Sequence, residues 1–535
     1  MDTLLLLVAI GVTVFTVGLM GIEFLSRRLD LLSLRALFLL GFIQFYGLAT
    51  IFMVWLGTAS DLYVATDYGY ARLALCMPVF LGLFLAFDRF GARMRWVRKI
   101  IPPLNFPATT PGILISTGAL LFMATISLVI GYGGYWAAVL IQIRSGIAAG
   151  AVGLATFFLL AKRFNPFAWL VFGSVFLTAA LLSVAQGSDR RYLLSVLLVV
   201  PWMWYFYRLR YKSTSAAVTR LSVVAVAALL VIAAYTGVRH DLGGDRDVTV
   251  TARANQFMKL AQKGTIKRGS WARMFYQDTP TNTCFIIENY PQQYKLVPFN
   301  GLLFTLTNPI PRSIFPAKPE GLGEVLQVQM NTTANLGVGI IGHGWAEGMF
   351  FGVVGYGIVF GLLAGAMDRL IRDRVHNPYF MAAIGSGLGN VIALPRGETS
   401  LFMVFIISSF VCITIILYCT RFFLGPFMRA TAPISAFPPG IADNPEDDGD
   451  LDPVEPPNPE FPDDIWEAEE SRQPALALAY RDSASGDGSL RTNGSSNGSA
   501  NRVPGSLPDP AQPGGARPAR AGLGASPSFT PRSAE

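Results

Sequence analysis

Eleven apolar runs, each long enough to cross a lipid bilayer, constrain this chain more than any other feature of its sequence. A bilayer core about 30 Å thick requires about 20 apolar residues per helix. Only 14% of the residues are charged, whereas a typical soluble domain carries about 25%. The sequence therefore predicts an all-α, polytopic membrane protein and excludes an ordinary soluble enzyme. The runs are 3–22, 36–57, 71–88, 112–131, 142–161, 166–186, 192–207, 218–238, 346–367, 379–395 and 399–420.

The basic residues predict how these runs are oriented. Every odd-numbered run is followed by Lys or Arg, and cytoplasmic loops are enriched in these residues. This membrane topology accounts for the excess of basic over acidic residues, so we do not expect the protein to bind nucleic acid. The N-terminus then lies outside, and the predicted organisation is transmembrane helices 1–8 in 1–238, an outer loop in 239–336, helices 9–11 in 337–421 and a cytoplasmic tail in 422–535.

The two long polar segments have different compositions. Residues 431–535 contain 17 acidic and 7 basic residues and are rich in Pro, Gly and Ser, which predicts a disordered tail. The outer segment contains helix-like stretches at 250–262 and 270–279 and a Pro-rich, extended region from Pro291 to Pro319. Its apolar residues would either pack it on the bundle or let it enter the membrane interface: Phe299, Leu302, Leu303, Phe304 and Leu306.

Six basic residues are not explained by this topology, because they lie within a span or on the outer side. They are Arg144, Arg190, Arg191, Arg312, Lys318 and Arg396. Charges at such positions are costly and usually functional, and a guanidinium group binds phosphate with two hydrogen bonds. We expect the group to converge on an anion site. For each residue alone, the alternatives are snorkelling to the headgroups or local pairing, as between Arg396 and Glu398.

Two titratable residues lie at the start of the ninth run. His343 and Glu347 are four residues apart, so they share a face if the segment is helical. Either could act as a general base, and the alternative is a helix cap with a solvated carboxylate. The glycines that follow have the spacing of close helix packing. The three histidines and four cysteines lack metal-ligand spacing, so we expect no metal or other cofactor.

Four short motifs stand in order along the chain. They are Gly187-Ser188 with Arg190 and Arg191, Pro309-Ile310-Pro311-Arg312 with Phe315-Pro316-Ala317-Lys318-Pro319, the Glu347 segment running into Gly352 and Gly355, and Arg396-Gly397-Glu398. Taken together, they resemble the motifs of the oligosaccharide repeat-unit polymerases, the Wzy-type O-antigen polymerase family, which is related to the O-antigen ligases. The resemblance extends over roughly residues 130–425. Phe315 stands where a tryptophan is expected, and Asp189 is inserted before the two arginines.

The resemblance implies a GT-C-like glycosyltransferase bundle in a bacterial inner membrane. Such an enzyme transfers a glycan from polyprenyl (undecaprenyl) diphosphate to a sugar hydroxyl of the next lipid-linked repeat unit, which builds O-antigen, capsule or exopolysaccharide. This chemistry fits the residues found independently of the resemblance: Glu347 or His343 is available as the base, and the six basic residues can bind the diphosphate and glycan. It also implies chain-length regulator and flippase proteins as partners, besides the bilayer and the lipid-linked oligosaccharide.

Two alternatives to polymerisation remain at this stage. A ligase of similar architecture would move finished glycan from the same carrier to another acceptor, and it would need the same arginines and base. A transporter or flippase of lipid-linked glycan would bind without chemistry. Transporters commonly contain two related halves, whereas this sequence shows no internal repeat and an odd number of spans.

Overall fold

The computed structural model describes residues 1–26, 30–55, 63–129, 134–185, 190–241, 277–332, 336–429 and 431–437, with the side chains of 128–142, 184–190 and 232–241 excepted. Within these residues every regular element is a helix, and ten helices are long and apolar enough to cross a membrane. The prediction of an all-α, multi-pass membrane protein is confirmed at this level.

The described residues form fifteen helices of six residues or more, and the ten candidate spans among them are α1 to α8, α12 and α15. In chain order the fifteen are α1 (Asp2–Leu25), α2 (Leu34–Trp55), α3 (Asp67–Gly91), α4 (Thr110–Val129), α5 (Gly134–Ala161), α6 (Pro166–Ala185), α7 (Arg190–Tyr207), α8 (Thr214–Asp241), α9 (Thr279–Asn289), α10 (Asn300–Thr307), α11 (Leu322–Gln329), α12 (Ile340–Asp373), α13 (Pro378–Gly385), α14 (Leu388–Ala393) and α15 (Thr399–Met428).

The predicted tenth span, 379–395, is not a continuous helix, so the described residues contain ten candidate spans where the sequence predicts about eleven. It consists of α13 and α14, separated by Ser386 and Gly387. Glycine has a low helix propensity, and α7 occupies the space beside the break. A Cβ on Gly389 would collide with the backbone of Arg191, and the Gly389 N–H donates to Ser195 Oγ at 3.2 Å. Packing against α7 thus provides a hydrogen-bond acceptor, the Ser195 hydroxyl, for a backbone N–H group of the interrupted helix.

Hydrogen bonds define the two ends of the helix bundle. At one end, which we call the Arg374 end, the Arg374 guanidinium donates to the carbonyl of Arg98 at 2.9 Å. At the other, which we call the Arg396 end, the Ile340 N–H donates to the carbonyl of Pro395 at 3.1 Å. The segment 374–395, which contains α13 and α14, therefore connects the two ends of α12. On the positive-inside prediction, the Arg374 end is cytoplasmic and the Arg396 end is outside.

Buried charges cluster toward the Arg374 end. The Arg35 guanidinium is 2.8 Å from a carboxylate oxygen of Glu23 and 3.1 Å from one of Asp88. The Asp368 carboxylate accepts from the N–H groups of Leu34 and Arg35 at the start of α2. These contacts join α1, α2, α3 and α12, and each of the buried charges involved has an opposite charge or a helix N-terminus beside it, as burial requires.

Helix α12 packs along α3 through glycines, as the sequence predicts. A Cβ on Gly361 or Gly365 would collide with the backbone of α3 at Phe84 and Asp88. Only glycine allows two backbones to approach this closely in a membrane bundle. The function of these glycines is packing.

The outer loop and the tail both contain more structure than predicted. Helix α10 forms inside the region predicted to be extended, and residues 431–437 pack on the bundle instead of starting a disordered tail at 422. The Ile434 N–H donates to the carbonyl of Ala108 at 2.8 Å, and the buried Phe437 ring lies 4.9 Å from that of Tyr207. The predicted helix at 250–262, most of that at 270–279 and the tail beyond 437 lie outside the described residues.

Candidate functional site

The candidate site is built around the first turn of α15 and the turn that precedes it. Residues 396–398 cross over the start of α12, where the Gly339 N–H donates to the carbonyl of Gly397 at 3.1 Å. Gly339 has φ +75°, which only glycine adopts readily, and a Cβ there would also collide with the Tyr46 hydroxyl. Side chains from α2, α7, α10 and α12 reach this turn.

Arg191, at the start of α7, lies against the first turns of α15. Its guanidinium carbon is 4.5 Å from the centre of the Phe402 ring and 4.9 Å from that of Phe405. Aromatic faces attract a guanidinium and keep its edge available for hydrogen bonds. Arg190 is the first residue of the same helix, and its side chain lies outside the described residues. The structure thus brings Arg191 to the site, and Arg190 stays a prediction.

Arg396 is held from the opposite side, by α2. Its guanidinium carbon is 5.9 Å from the centre of the Phe45 ring, and its charge acts on the Asp278 carboxylate. Phe45 belongs to a π-helical turn at Ile43–Leu48, a conformation that is frequent at functional sites. The next residue in that turn, Tyr46, accepts a hydrogen bond from the N–H of Ile341 at 3.1 Å.

Glu347 joins α10 to α12. Its Oε1 accepts from the Gly301 N–H at 2.6 Å and from the Tyr356 hydroxyl at 2.7 Å. Glu347 is the last residue before a kink at Gly348 and Met349. Met349 has φ +52°, a strained conformation for a residue with a side chain, and such strain clusters at functional sites. The kink leaves the half-buried Glu347 carboxylate at the mouth of the bundle.

His343 lies one turn before Glu347 and is completely buried. Among the described residues, neither of its ring nitrogens has a hydrogen-bond partner, and its ring stacks on that of Tyr356 at 6.3 Å. Because Tyr356 contacts both residues, the predicted shared face of His343 and Glu347 is observed. Of the two side chains, the His343 imidazole is the more buried.

Glu398 was not among the sequence-predicted site residues, and it is one of the few buried carboxylates at this end. Its carboxylate lies at the first N–H groups of α11, those of Leu322 and Gly323, and accepts from the Ser400 hydroxyl at 3.3 Å. Burial and, to a smaller extent, the charge of Glu324 raise the pKa of the Glu398 carboxyl to about 7. The sequence suggested only that Glu398 pairs with Arg396.

The glycines at positions 321 and 323 were the one feature of the sequence that could have indicated a role for Glu398. A Cβ on Gly321 would collide with its carboxylate, and Gly321 and Gly323 flank the N-terminus of a short helix. Glycines there allow a carboxylate to approach the backbone, but the sequence does not reveal which carboxylate does so. Ser400 also lies beside Gly301, so Glu398, Ser400, Gly301 and Glu347 form one continuous cluster.

Arg312 and Lys318 stabilise the turn that follows α10. The buried Lys318 ammonium donates to the carbonyls of Asn308 at 2.7 Å and Ile310 at 3.4 Å. The Arg312 guanidinium donates to the carbonyl of Lys318 at 3.0 Å. These contacts account for Lys318 as a structural residue, whereas Arg312 remains exposed.

Arg144 lies deeper in the bundle than the other arginines. It is buried between α4 and α5, where it donates to the hydroxyl of Ser127 at 2.7 Å and to the Ser127 carbonyl at 2.9 Å. Two residues further on, Gly146 packs against Ser409 of α15. Ser409 is nine residues from Ser400, or about 14 Å along the helix axis. The structure therefore does not bring Arg144 to the first turn of α15.

Comparisons with models of protein families, with curated proteins and with solved structures find no match to this chain. Within the part of the chain that the structure describes, no three His, Cys, Asp or Glu side chains are grouped to hold a metal ion. The side chains at the Arg396 end thus provide two cations, Arg191 and Arg396, and a half-buried carboxylate, Glu347.

Proposed function

We propose that this protein is a membrane glycosyltransferase that polymerises oligosaccharide repeat units linked to polyprenyl diphosphate. The observation that carries the proposal is the placement of Arg191, Arg396 and Glu347 around the first turn of α15. This arrangement combines cations for an anionic leaving group with a carboxylate for an acceptor hydroxyl. It supports the function that the motif resemblance implies.

The cations have a defined task in this reaction. When the bond between the sugar and the diphosphate breaks, negative charge develops on the departing polyprenyl diphosphate. Guanidinium groups that are already positioned stabilise this charge without reorganisation, and removing one such donor typically costs about 100- to 1,000-fold in rate. The rings of Phe402 and Phe45 position Arg191 and Arg396 before the substrate arrives.

Glu347 is the base in the proposed reaction. Both of its hydrogen bonds go to Oε1, so Oε2 can accept the proton of the acceptor hydroxyl. The hydroxyl oxygen forms the new bond to the anomeric carbon, and the electron pair of the broken bond leaves with the diphosphate. His343 is less suited to this role, because its ring is completely buried; its place beside Tyr356 makes it a positioning residue.

The test begins with deletion of the gene and size separation of surface polysaccharide and lipid-linked glycan. Polymerisation predicts that the ladder disappears and single repeat units accumulate. Complementation with Arg191→Ala or Arg396→Ala should leave single units at a normal protein level. The matched control is Arg72→Ala, since Arg72 is an exposed cation of α3 stacked on Tyr68 at 5.2 Å and should restore the ladder.

Other outcomes would contradict the proposal in distinct ways. A ladder restored by both arginine variants would show that these residues do not bind the leaving group. A full-length ladder left on the lipid carrier in the deletion strain would identify a ligase. Unchanged glycan in every fraction would exclude both enzymes.

The interrupted helix α13–α14 favours a second candidate, a transporter of lipid-linked glycan. Transporters often place discontinuous helices at their substrate sites, and α14 begins beside Arg191. A transporter and a polymerase leave single repeat units on opposite faces of the membrane when deleted. Oxidation of the sugars by membrane-impermeant periodate, in spheroplasts and in inverted vesicles, distinguishes the two.

A further inference from the structure

Helix α10 is apolar on both of its faces. Gly301 and the buried Phe304 face the bundle. The outward face and the flanking turns expose six large apolar side chains, which are 38–73% accessible. We call this surface the α10 patch, and it consists of Phe299, Leu302, Leu303, Leu306, Ile310 and Ile314.

The α10 segment is fixed at the level where two spans begin. The Thr305 hydroxyl donates to the carbonyl of Ser400 at 3.3 Å, in the first turn of α15. The Val297 N–H donates to the carbonyl of Ala346 at 3.0 Å, in the first half of α12. Because both partners lie at the starts of candidate spans, α10 lies at the height of one membrane interface.

The α10 patch continues the lipid-facing surface of these spans. Helix α15 exposes Ile407, Val411 and Ile415 at intervals of four residues, which is one helix face. Helix α12 likewise exposes Phe351, which is 84% accessible and lies four residues beyond Glu347, followed by Val359. Apolar faces on spanning helices are covered by acyl chains. The α10 patch lies beside both of these faces, at the Arg396 end of the bundle.

Two exposed cations flank helix α10 in the chain, Lys295 before it and Arg312 after it. Lipid phosphates lie just above the acyl chains, and basic side chains near a membrane surface are attracted to them. Long basic side chains also keep their charge at the headgroups while their stems cover apolar surface. The order of cation, apolar helix and cation matches a segment that lies in the interface.

We propose that α10 is an interfacial helix and that the occupant of the α10 patch is the adjacent leaflet of the bilayer. Its acyl chains cover the six apolar side chains, and its phosphates accept hydrogen bonds from Lys295 and Arg312. Helices of this kind bury their apolar face about 5–10 Å into the boundary between headgroups and acyl chains. The inference does not depend on the chemistry of the neighbouring site.

The unmodified full-length protein provides the first test. It is reconstituted in vesicles of phosphatidylethanolamine and phosphatidylglycerol that carry a photoactivatable diazirine on the acyl chain. Trypsin releases residues 296–312, which contain five of the six patch residues, as one peptide. We expect this peptide to carry lipid adducts at a yield similar to that of peptides from the spans, and its lack of adducts would overturn the proposal.

Spin labels give the depth of individual side chains. Leu303→Cys and Leu306→Cys are labelled after the native Cys412 and Cys419 have been replaced by Ser, with Gln293→Cys as the control in an exposed polar turn. In nanodiscs that hold one copy of the protein, labels at 303 and 306 should be relaxed several-fold more by oxygen than by a water-soluble nickel complex. The control should show the reverse order.

Three results would overturn the assignment to the bilayer. Strong relaxation by the nickel complex at 303 and 306 would place the patch in water. Protection that appears only when two copies share a nanodisc would assign it to a second copy of the chain. Protection that requires added polyprenyl diphosphate would assign it to the prenyl chain of that lipid. Gel filtration verifies that the labelled variants fold, and the crosslinking of the unmodified protein needs no variant.

Discussion

The clearest quantitative prediction concerns Glu398, because its environment penalises ionisation. Its carboxyl is buried beside Glu324, and its pKa rises from an ordinary 4.5 to about 7. The folded protein therefore holds a proton that the unfolded chain has already released between these two pH values. Since the proton is bound more tightly in the folded state, stability from this group is complete below pH 4.5 and is lost as the pH rises through 7.

The size of this effect follows from the pKa difference. A tenfold change in an ionisation constant corresponds to about 1.4 kcal/mol. A rise from 4.5 to about 7 then makes the free energy of unfolding about 3 kcal/mol smaller above pH 7 than below pH 4.5. Glu398→Gln keeps an oxygen that can accept from Leu322, Gly323 and Ser400, and it cannot ionise.

The assay is thermal unfolding of the purified protein in detergent, compared between wild type and Glu398→Gln from pH 5 to pH 8. The wild-type midpoint should fall relative to that of the variant as the pH rises, with most of the change below pH 7. In Glu324→Gln, which removes one cause of the raised pKa, the fall should shift to lower pH. Parallel curves for wild type and Glu398→Gln would refute the assignment of a raised pKa to this carboxyl.

Two further predictions concern the site and the tail. Glu347→Gln should abolish the polysaccharide ladder, because the base is lost. His343→Ala should reduce the ladder less, because the imidazole acts only through Tyr356. The gel assay measures both effects. Removal of 438–535 should leave the ladder intact. In contrast, Phe437→Ala should lower the amount of folded protein, because the lost packing makes the free energy of unfolding about 3–5 kcal/mol smaller. Gel filtration and thermal unfolding measure this loss.

Each of these predictions has a control or a contradicting result. A ladder lost in His343→Ala and kept in Glu347→Gln would move the role of base to the histidine. Phe427→Ala serves as the control for Phe437, because Phe427 is 65% exposed and its loss should not affect folding. A well-folded protein that is inactive without 438–535 would show that the tail has a function of its own.

Much of the architecture follows from the sequence because membrane insertion depends on local composition. Ten of the eleven apolar runs form the candidate spans that their length and hydropathy predict. Only the run at 379–395 departs from this, because three glycines weaken the helix locally and α7 packs into the break. Composition could not show that interruption, since a helix-breaking glycine is often accommodated in a membrane span.

The candidate site was predictable only in part. Arg191, Arg396 and Glu347 stood out because a charge beside an apolar run is rare and costly. Glu398 did not stand out, because its importance comes from burial against α11, a helix about 75 positions earlier in the chain. Lys318 had the appropriate charge, but the turn after α10 uses its ammonium group.

The sequence by itself determined the class of fold, the positions of ten spans and the residue types available for chemistry, because each of these depends on residues that are neighbours in the chain. The tertiary structure decided which charges meet. Arg191 and Arg396 are about 200 positions apart, and they reach the same turn only because α7 and α2 both pack against the start of α15 and α12. Burial, which separates Glu347 from His343 and raises the pKa of Glu398, is likewise a property of the assembled bundle.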